Sequence, residues 1–161
     1  MTIRAIGATG FIGPPVVRQL IQQNHDVIVF HRGTTDADLP DAVRHLHGDR
    51  NALPEHADAL RQVTPDVVID LVPYTEAQAR QVVGVFSGHA ERLVAISSSD
   101  VYRNYDGWRG ASDHDPDPVP LSEDAPPRAT RYPYRGYDGI AFEYADDYDK
   151  IQQARQKERR N

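Results

Sequence analysis

A glycine-rich turn near the amino end, inside residues 2–33, constrains the fold more than any other feature. Gly7, Gly10 and Gly13 stand between a short apolar run and an amphipathic stretch. A sharp turn out of a buried strand needs a positive φ at Gly7, and a pyrophosphate lying on the backbone needs Gly10 to carry no side chain. Gly13 lets the following helix pack close to the strand. Strand, glycine turn, helix and strand in this order are typical of the phosphate end of a dinucleotide-binding βαβ unit.

The amphipathic stretch after Gly13 predicts a helix whose amino end points at the phosphates. Pro14 and Pro15 fall in its first turn, where a missing N–H costs little. Asn24 ends the helix, and Val27 to Phe30 form an apolar run suited to a buried parallel strand. A turn that binds nothing is the alternative, but the helix and strand on either side favour a cofactor site. The predicted inward stripe is Val16, Val17, Leu20 and Ile21.

The spelling of the turn, GATGFIG with GxxGxxG spacing, resembles the signature of the NAD-dependent epimerase/dehydratase group of the extended short-chain dehydrogenase/reductase superfamily. The resemblance covers nearly the whole chain. It implies an α/β fold, a Rossmann-type doubly wound parallel sheet of about five strands in the order 3-2-1-4-5. The implied contacts of the turn with the dinucleotide are Gly7, Thr9, Gly10, Phe11, Ile12 and Gly13.

Length and composition are typical of a single soluble globular domain. The chain has 161 residues, 39% hydrophobic and 26% charged, a net charge of −6 and no cysteine. The negative charge argues against nucleic-acid binding, and no apolar run approaches the roughly 20 residues of a membrane span. Seven histidines show no metal-ligand spacing, so no metal is predicted. We expect a cytoplasmic protein without disulfides or thiolate zinc sites.

Residues after the second strand bear on the choice of cofactor. An acid at that strand tip would hold a free ribose 2′-hydroxyl, whereas an arginine accommodates a 2′-phosphate. Arg32, with help from His31 or Thr34, therefore favours NADP over NAD as the cofactor; a solvated loop arginine is the alternative.

Two further strand ends contribute expected contacts. The third strand, Val43 to His47, is followed by Asp49 and Arg50. The resemblance implies that Asp49 binds the adenine amino group, although an aspartate here could equally cap the helix predicted over Ala52 to Val63. Asp66 to Leu71 predicts a central, buried fourth strand, which brings Leu71 and Val72 to the cofactor cleft.

The next predicted elements are a capped helix and a fifth strand. Thr75 with Gln78 makes a capping box. The fifth strand, Leu93 to Ile96, delivers a serine cluster to the same edge of the sheet. In the family it resembles, a hydroxyl here hydrogen-bonds the substrate's reacting oxygen, which by position is Ser98; satisfying the strand-end backbone is the alternative. Inward positions of the predicted helix are Ala79, Val82, Val83 and Phe86.

The long segment from Tyr102 to Gly139 is rich in Pro, Asp, Gly and Tyr and has no clear periodicity. A connection of this length is uncommon in a compact domain unless it is functional or mobile. Its aromatic side chains could stack on a ligand or merely anchor a loop. They are Tyr105, Trp108, Tyr132, Tyr134 and Tyr137.

The superfamily's catalytic pair is Tyr-x-x-x-Lys, in which residues four apart share one helical face and the lysine lowers the tyrosine pKa. Lys150 is the natural lysine, but Asp146 stands four residues before it. Tyr144 and Tyr148 lie on other faces of a regular helix, and Tyr148 is the nearer candidate if the backbone is irregular. We therefore expect Lys150 to contact the nicotinamide ribose and leave the catalytic tyrosine open.

These features predict a Rossmann domain over residues 1–150 with an active-site loop at 103–139, and a polar tail at 151–161. We expect the family's C-terminal substrate domain to be absent and the fifth strand to be an exposed edge. Either the chain is a truncated relative or a partner covers that edge, most simply a second copy. The first functional hypothesis is an NAD(P)-binding epimerase/dehydratase-type oxidoreductase acting on a sugar nucleotide or another carbonyl or hydroxyl substrate. The alternative is a catalytically inactive dinucleotide-binding module. RNA binding is a third reading, which the acidic charge disfavours.

Overall fold

The computed structural model describes residues 1–108, 113, 115 and 117–129. The chain divides into two compact units, residues 1–96 and residues 97–161. No helix in the described part of the chain is long and apolar enough to cross a bilayer.

The first unit is a parallel sheet of five strands in the order β3-β2-β1-β4-β5. The predicted Rossmann order is thus confirmed. The strands are β1 (Thr2–Ile6), β2 (Asp26–His31), β3 (Arg44–His47), β4 (Val67–Asp70) and β5 (Arg92–Ala95). The helices are α1 (Gly13–Gln22), α2 (Ala57–Arg61) and α3 (Glu76–Phe86), with a 3₁₀ helix at Arg50–His56.

Two apolar clusters fill the two faces of this sheet. Because side chains alternate along a strand, Ala5 and Ile6 of β1 enter different clusters. The cluster on the α1 face is Ala5, Ala8, Val17, Val27, Val29 and Val43. The cluster on the other face is Ile6, Phe30, Leu53, Leu60, Val68, Val82, Val85 and Phe86.

The end of α1 follows the prediction. Val17 is buried, and Leu20 and Ile21 pack against the cluster on the same face. Asn24 has φ of 61° and donates its amide to the carbonyl of Ile21 at 2.9 Å. A left-handed asparagine is a common helix stop, since its short polar side chain tolerates this conformation.

The helix predicted over Ala52 to Val63 is wrong as a single element. A 3₁₀ helix over Arg50–His56 contains Pro54 and a non-helical Ala52, and a regular α2 begins only at Ala57. Proline disfavours helical backbone at the residue before it, so a regular α-helix forms only after Pro54.

The inward face of α3 also differs from the prediction. Gln78, Val82, Val85 and Phe86 are buried, whereas Val83 is 57% exposed. The cause is Gln78, whose side-chain oxygen accepts the Tyr74 amide at 2.9 Å and whose nitrogen donates to Asn51 at 2.8 Å. This polar anchor rotates the helix so that Ala79 faces outward. Half of the predicted capping box is present, since Thr75 Oγ1 accepts the Gln78 amide at 3.0 Å while the Gln78 side chain accepts the amide of Tyr74 rather than that of Thr75.

A buried arginine on β1 hydrogen-bonds backbone carbonyls at the carboxyl end of α2. Arg4 is 1% exposed, and its guanidinium donates to the carbonyl oxygens of Leu60 at 3.1 Å and Val63 at 2.8 Å. The last carbonyls of a helix lack intrahelical partners, so a cationic donor suits them. Burial lowers the pKa of this guanidinium below its usual value.

The described part of the second unit contains a 3₁₀ helix (Ser99–Val101) and α4 (Asn104–Trp108). Arg128 joins them, because it contacts Asp100 at 2.5 Å and Asp106 at 3.3 Å. The Asn104 side chain accepts the Asp117 amide at 2.9 Å. Part of the segment expected to lack periodicity is therefore ordered by ion pairs rather than by an apolar stripe.

Candidate cofactor site

Two of the three turn glycines are required by close backbone approach. Gly7 has φ of +75°, and a Cβ there would lie 2.4 Å from a Val72 methyl carbon. A Cβ on Gly13 would lie 2.0 Å from the carbonyl oxygen of Ala8. Both contacts are far inside van der Waals distance, so these positions exclude any side chain on packing grounds alone.

The middle glycine is different, because no described residue has an atom within 4 Å of a Cβ placed at Gly10. Beside it, Phe11 is 99% exposed and Ile12 is 51% exposed. Folding of this unit gives no reason for a glycine here or for two large apolar residues in water. The open space over Gly10 fits a group that approaches the backbone from outside, as a pyrophosphate does.

The backbone donors at this end of α1 are few. The Gly13 amide bonds the Gly10 carbonyl at 3.0 Å, and Pro14 and Pro15 have no N–H. The amides of Phe11 and Ile12 donate to no residue in the described part of the chain. These two amides, at the positive end of the helix dipole, are the donors that an anion would use.

The residues that follow β4 pack against the glycine turn. The Leu71 amide donates to the Ile6 carbonyl at 3.0 Å, which holds the chain beside β1 after β4 ends. The side chain of Val72 packs over Gly7, as the 2.4 Å measurement shows. Leu71 and Val72 thus lie beside the glycine turn, and their contact with a cofactor stays a prediction.

The end of β2 carries Arg32 on an exposed turn. Gly33 follows with φ of 77°, and its amide donates to Nδ1 of His31 at 3.2 Å. Arg32 therefore lies at the strand tip where a Rossmann unit meets the adenosine ribose.

A cluster of three imidazoles beside Arg32 was missed by the sequence reasoning. It comprises His31, His45 and His47, called the histidine cluster below. His31 lies opposite His47 in the β2–β3 register, with ring centroids 4.7 Å apart. Nε2 of His31 and Nδ1 of His45 are 2.9 Å apart. The His-x-His spacing on β3 was the available signal, since alternate residues share a face.

His31 lies in a less favourable environment for a positive charge than a free imidazole does. Burial lowers the pKa of the His31 imidazole below its ordinary value, and the neighbouring rings of His47 and His45 lower it further. No group of histidine and carboxylate side chains able to hold a metal ion occurs among the described residues.

Asp49 caps the 3₁₀ helix, since its Oδ1 accepts the Asn51 amide at 2.8 Å. This is one of its two expected roles, and the exposed carboxylate keeps a second oxygen for another partner. Arg50 points elsewhere, for its guanidinium donates to Asp70 at 2.7 Å and to the Gln78 carbonyl at 3.0 Å. The structure thus gives the Arg50 side chain a buried structural partner.

The Asp70 carboxyl is 1% exposed. Burial raises its pKa above the ordinary value, while the Arg50 guanidinium and the Val72 amide oppose the rise. Arg50 Nε and Nη1 are buried without a described hydrogen-bond partner.

The expected catalytic residues lie elsewhere in the chain. Ser98, in the second unit, is exposed and caps the 3₁₀ helix there, with Oγ accepting the Asp100 amide at 3.2 Å. Lys150, Tyr148 and Asp146 lie outside the described residues.

Comparison with known proteins gives a family match over most of the chain. Residues 4–138 match the model of the NAD dependent epimerase/dehydratase family. The curated 2′-dehydrokanamycin reductase of Streptomyces kanamyceticus is 33% identical over 99 residues, which cover 60% of this chain and 28% of that protein.

Solved structures share the fold. The UDP-glucose-4-epimerase of Stenotrophomonas maltophila, with bound NAD and formylated UDP-arabinopyranose, has a TM-score of 0.63 and 20% identity, covering 81% of this chain and 43% of its own. The Bordetella bronchiseptica enzyme WbmG in complex with NAD has a TM-score of 0.62 and 17% identity, covering 80% and 44%. This chain thus spans less than half the length of these relatives.

Proposed function

The chain belongs to the NAD-dependent epimerase/dehydratase family, and from this premise we propose that its first unit binds a nicotinamide dinucleotide at the glycine turn. The geometry of the turn fits the family's cofactor. Gly7 and Gly13 shape the backbone, Gly10 leaves open space above it, and the amides of Phe11 and Ile12 receive the pyrophosphate. In this proposal Thr9 lines the turn, and Leu71 and Val72 form its floor.

The observation that carries the proposal is the contrast among the three glycines. Packing explains Gly7 and Gly13, but nothing in the described structure meets a Cβ at Gly10. A position that folding leaves unconstrained, next to a 99% exposed phenylalanine, is what a backbone contact with a phosphate requires.

We further propose that the cofactor is NADP. An exposed arginine follows β2, and Asp36 is the first acid beyond it in the sequence. A guanidinium binds a phosphate through paired charge-assisted hydrogen bonds, whereas ribose recognition in NAD-specific units uses an acid. Asp49, with one carboxylate oxygen engaged by the Asn51 amide, offers the other to the adenine amino group.

The proposed activity is that of an epimerase/dehydratase-type oxidoreductase acting on a sugar nucleotide or another carbonyl or hydroxyl substrate. A bound nicotinamide dinucleotide supplies hydride acceptance or donation. The names of the neighbours support this class, since they include UDP-sugar epimerases and a reductase. Ser98 would donate a hydrogen bond to the reacting oxygen, Lys150 would hold the nicotinamide ribose, and Tyr148 is the candidate proton donor.

A non-catalytic dinucleotide-binding module is the second candidate, and Asp146 favours it. This aspartate occupies the position of the tyrosine in Tyr-x-x-x-Lys relative to Lys150. Its carboxyl is a weaker match for the proton relay, because it would pair with the lysine instead of being activated by it.

Fluorescence titration with NADPH and NADH tests the cofactor assignment. We expect NADPH to bind more tightly than NADH and Arg32→Ala to remove most of the difference. Arg80→Ala is the matched control, because Arg80 is an exposed arginine of α3 paired with Glu76. Equal binding of both nucleotides by the wild-type chain would exclude the NADP assignment and leave NAD.

Turnover distinguishes the enzyme from the binding module. Carbonyl reduction or hydroxyl oxidation that is lost in Lys150→Ala and in Ser98→Ala would support the enzyme. A chain that binds the nucleotide yet turns over no sugar nucleotide supports the module.

A further inference from the structure

The histidine cluster has no role in the apolar core. It lies on the α1 face at the carboxyl ends of β2 and β3, and both His45 and His47 are exposed. The ring centroids of His31 and His45 are 5.1 Å apart, and those of His45 and His47 are 6.4 Å apart. Three rings at such distances form one group, in which a charge on one imidazole acts on the other two.

The hydrogen bonds assign the protons of the neutral cluster. The Gly33 amide donates to Nδ1 of His31, so the His31 proton sits on Nε2 and is donated to Nδ1 of His45. Another proton on His31 or on Nδ1 of His45 would break one of these bonds. The ring nitrogens of His47 take part in no described hydrogen bond, so His47 can take up a proton without such a loss.

The cluster is also joined to the turn that carries Arg32. A Cβ on Gly33 would lie 3.0 Å from Cδ2 of His47, and the Gly33 amide is held by His31. Arg32 and the histidine cluster thus flank one turn at the end of β2.

We propose that the histidine cluster and Arg32 together form a proton-linked binding site for a phosphate monoester dianion, the 2′-phosphate of NADP. The inference rests on the proposed function, because it places the adenosine ribose at the end of β2. It adds that the preference for the phosphorylated nucleotide strengthens as His47 becomes protonated.

Charges on the surrounding elements are mixed. The connection after β2 carries Arg32, Asp36, Asp38 and Asp41, and Asp38 is paired with Arg18 of α1 at 3.1 Å. The glycine turn that follows β1 carries no ionisable side chain, and β3 contributes the two histidines and Arg44, which pairs with Asp26. Asp49 follows β3. The histidine cluster therefore supplies the imidazoles at the carboxyl ends of β2 and β3, directly before and opposite the turn that carries Arg32.

Linkage sets the direction of the effect. A dianion favours the protonated imidazole, so binding takes up protons where free imidazole titrates, near a pKa of about 6.5. The phosphate keeps most of its second charge above its own pKa of about 6. For an imidazole displaced by one pKa unit in the complex, the ratio of the NAD⁺ to NADP⁺ dissociation constants rises about threefold between about pH 8 and about pH 6.5.

Calorimetric titration of the full chain with NADP⁺ and NAD⁺ across this pH range tests the proposal. We expect the affinity ratio to rise about threefold in the wild type and to stay flat in His47→Gln, with His45→Gln intermediate. His89→Gln, the same change at an exposed histidine between α3 and β5, should behave as the wild type. Identical pH profiles in wild type and His47→Gln would overturn the proposal.

The same titrations distinguish failure of the NADP assignment from failure of the proton-linked site. If NADP⁺ binds no more tightly than NAD⁺ at any pH and Arg32→Ala changes nothing, the NADP assignment fails and this site fails with it. If NADP⁺ is preferred but the preference does not vary with pH, only the proton-linked site fails.

Proton NMR of the histidine rings gives a readout independent of affinity. Saturation with NADP⁺ should move the midpoint of the His47 ring titration to higher pH, while NAD⁺ should leave it in place. The ring signal is assigned by its loss in His47→Gln. An unmoved midpoint in the NADP⁺ complex contradicts the proposal.

Discussion

At the scale of single residues, the three turn glycines separate folding from function. Gly13 is demanded by the Ala8 carbonyl 2.0 Å from a hypothetical Cβ, whereas Gly10 faces open space. The sequence predicted a separate reason for each glycine, and the backbone geometry separates the two packed positions, Gly7 and Gly13, from the open one at Gly10.

This difference predicts that the same substitution changes the free energy of unfolding much more at Gly13 than at Gly10. Gly13→Ala forces a backbone shift and should lower the free energy of unfolding by about 2 kcal/mol or more. Gly10→Ala should change it by less than about 0.5 kcal/mol. Urea unfolding of the two variants measures both values. Equal losses would show that the turn is not packed as described.

The histidine cluster predicts how stability depends on pH. His31 has a lowered pKa in the folded state, so below about pH 6.5 the unfolded chain binds a proton that the folded chain does not. The contribution of His31 to the free energy of unfolding therefore falls as pH falls through this window. His31→Gln should have a flatter profile than wild type in urea unfolding at acidic pH, with His89→Gln as control. Parallel profiles for His31→Gln and wild type would contradict the assignment.

At the scale of elements, one polar network joins three of them. Arg50 of the 3₁₀ helix contacts Asp70 at the end of β4 and the Gln78 carbonyl in α3. The Asp70 side chain is 1% exposed and that of Arg50 is 11% exposed. The sequence predicted that Arg50 contacts the cofactor. Its ion pair with Asp70 was not foreseen, because a tertiary partner cannot be read from neighbouring residues.

Breaking this network from one side should be costly. Asp70→Asn keeps an acceptor for the Val72 amide but leaves the Arg50 charge buried without a carboxylate. We expect a loss of about 3–5 kcal/mol in the free energy of unfolding. Adding Arg50→Met should recover part of it, since the buried charge is then gone. Urea unfolding of the single and double variants tests this, and strictly additive losses would argue against coupling.

Predictability from sequence differed among the elements for physical reasons. The βαβ start was readable because glycine, proline and asparagine impose local backbone conformations. The inward face of α3 was not, since apolar spacing pointed to Ala79 and Val83 while Gln78 is held inside by hydrogen bonds to Tyr74 and Asn51. In the segment after β3, Pro54 was the sequence signal that residues 52–63 would not form one regular helix.

At the scale of the whole molecule, the sheet order followed from the glycine motif, and the family match agrees with it. The histidine cluster was not predicted, because it depends on the pairing register of β2 with β3 as well as on the His-x-His spacing of β3. The catalytic assignments to Lys150 and Tyr148 stay predictions.

The fifth strand suggests self-association. β5 is an edge strand of the sheet that the described residues form, and Leu93, Val94 and Ile96 are each 37–38% exposed. An exposed apolar edge strand is a template for pairing with a second chain. Sedimentation velocity should show a concentration-dependent dimer that Val94→Lys weakens, with Val83→Lys on α3 as a control away from the edge. A monomer at every concentration would contradict this prediction.

If the glycine turn holds the pyrophosphate of the dinucleotide, a side chain at Gly10 must weaken binding. NADPH is titrated into the wild-type chain, Gly10→Val and Gly84→Val, the last being a glycine that also has nothing within 4 Å of a Cβ. We expect Gly10→Val to stay folded but to bind NADPH at least about tenfold more weakly, a loss of about 1.4 kcal/mol, while Gly84→Val binds as the wild type does. Undiminished binding by a folded Gly10→Val would show that the pyrophosphate does not lie on the glycine turn.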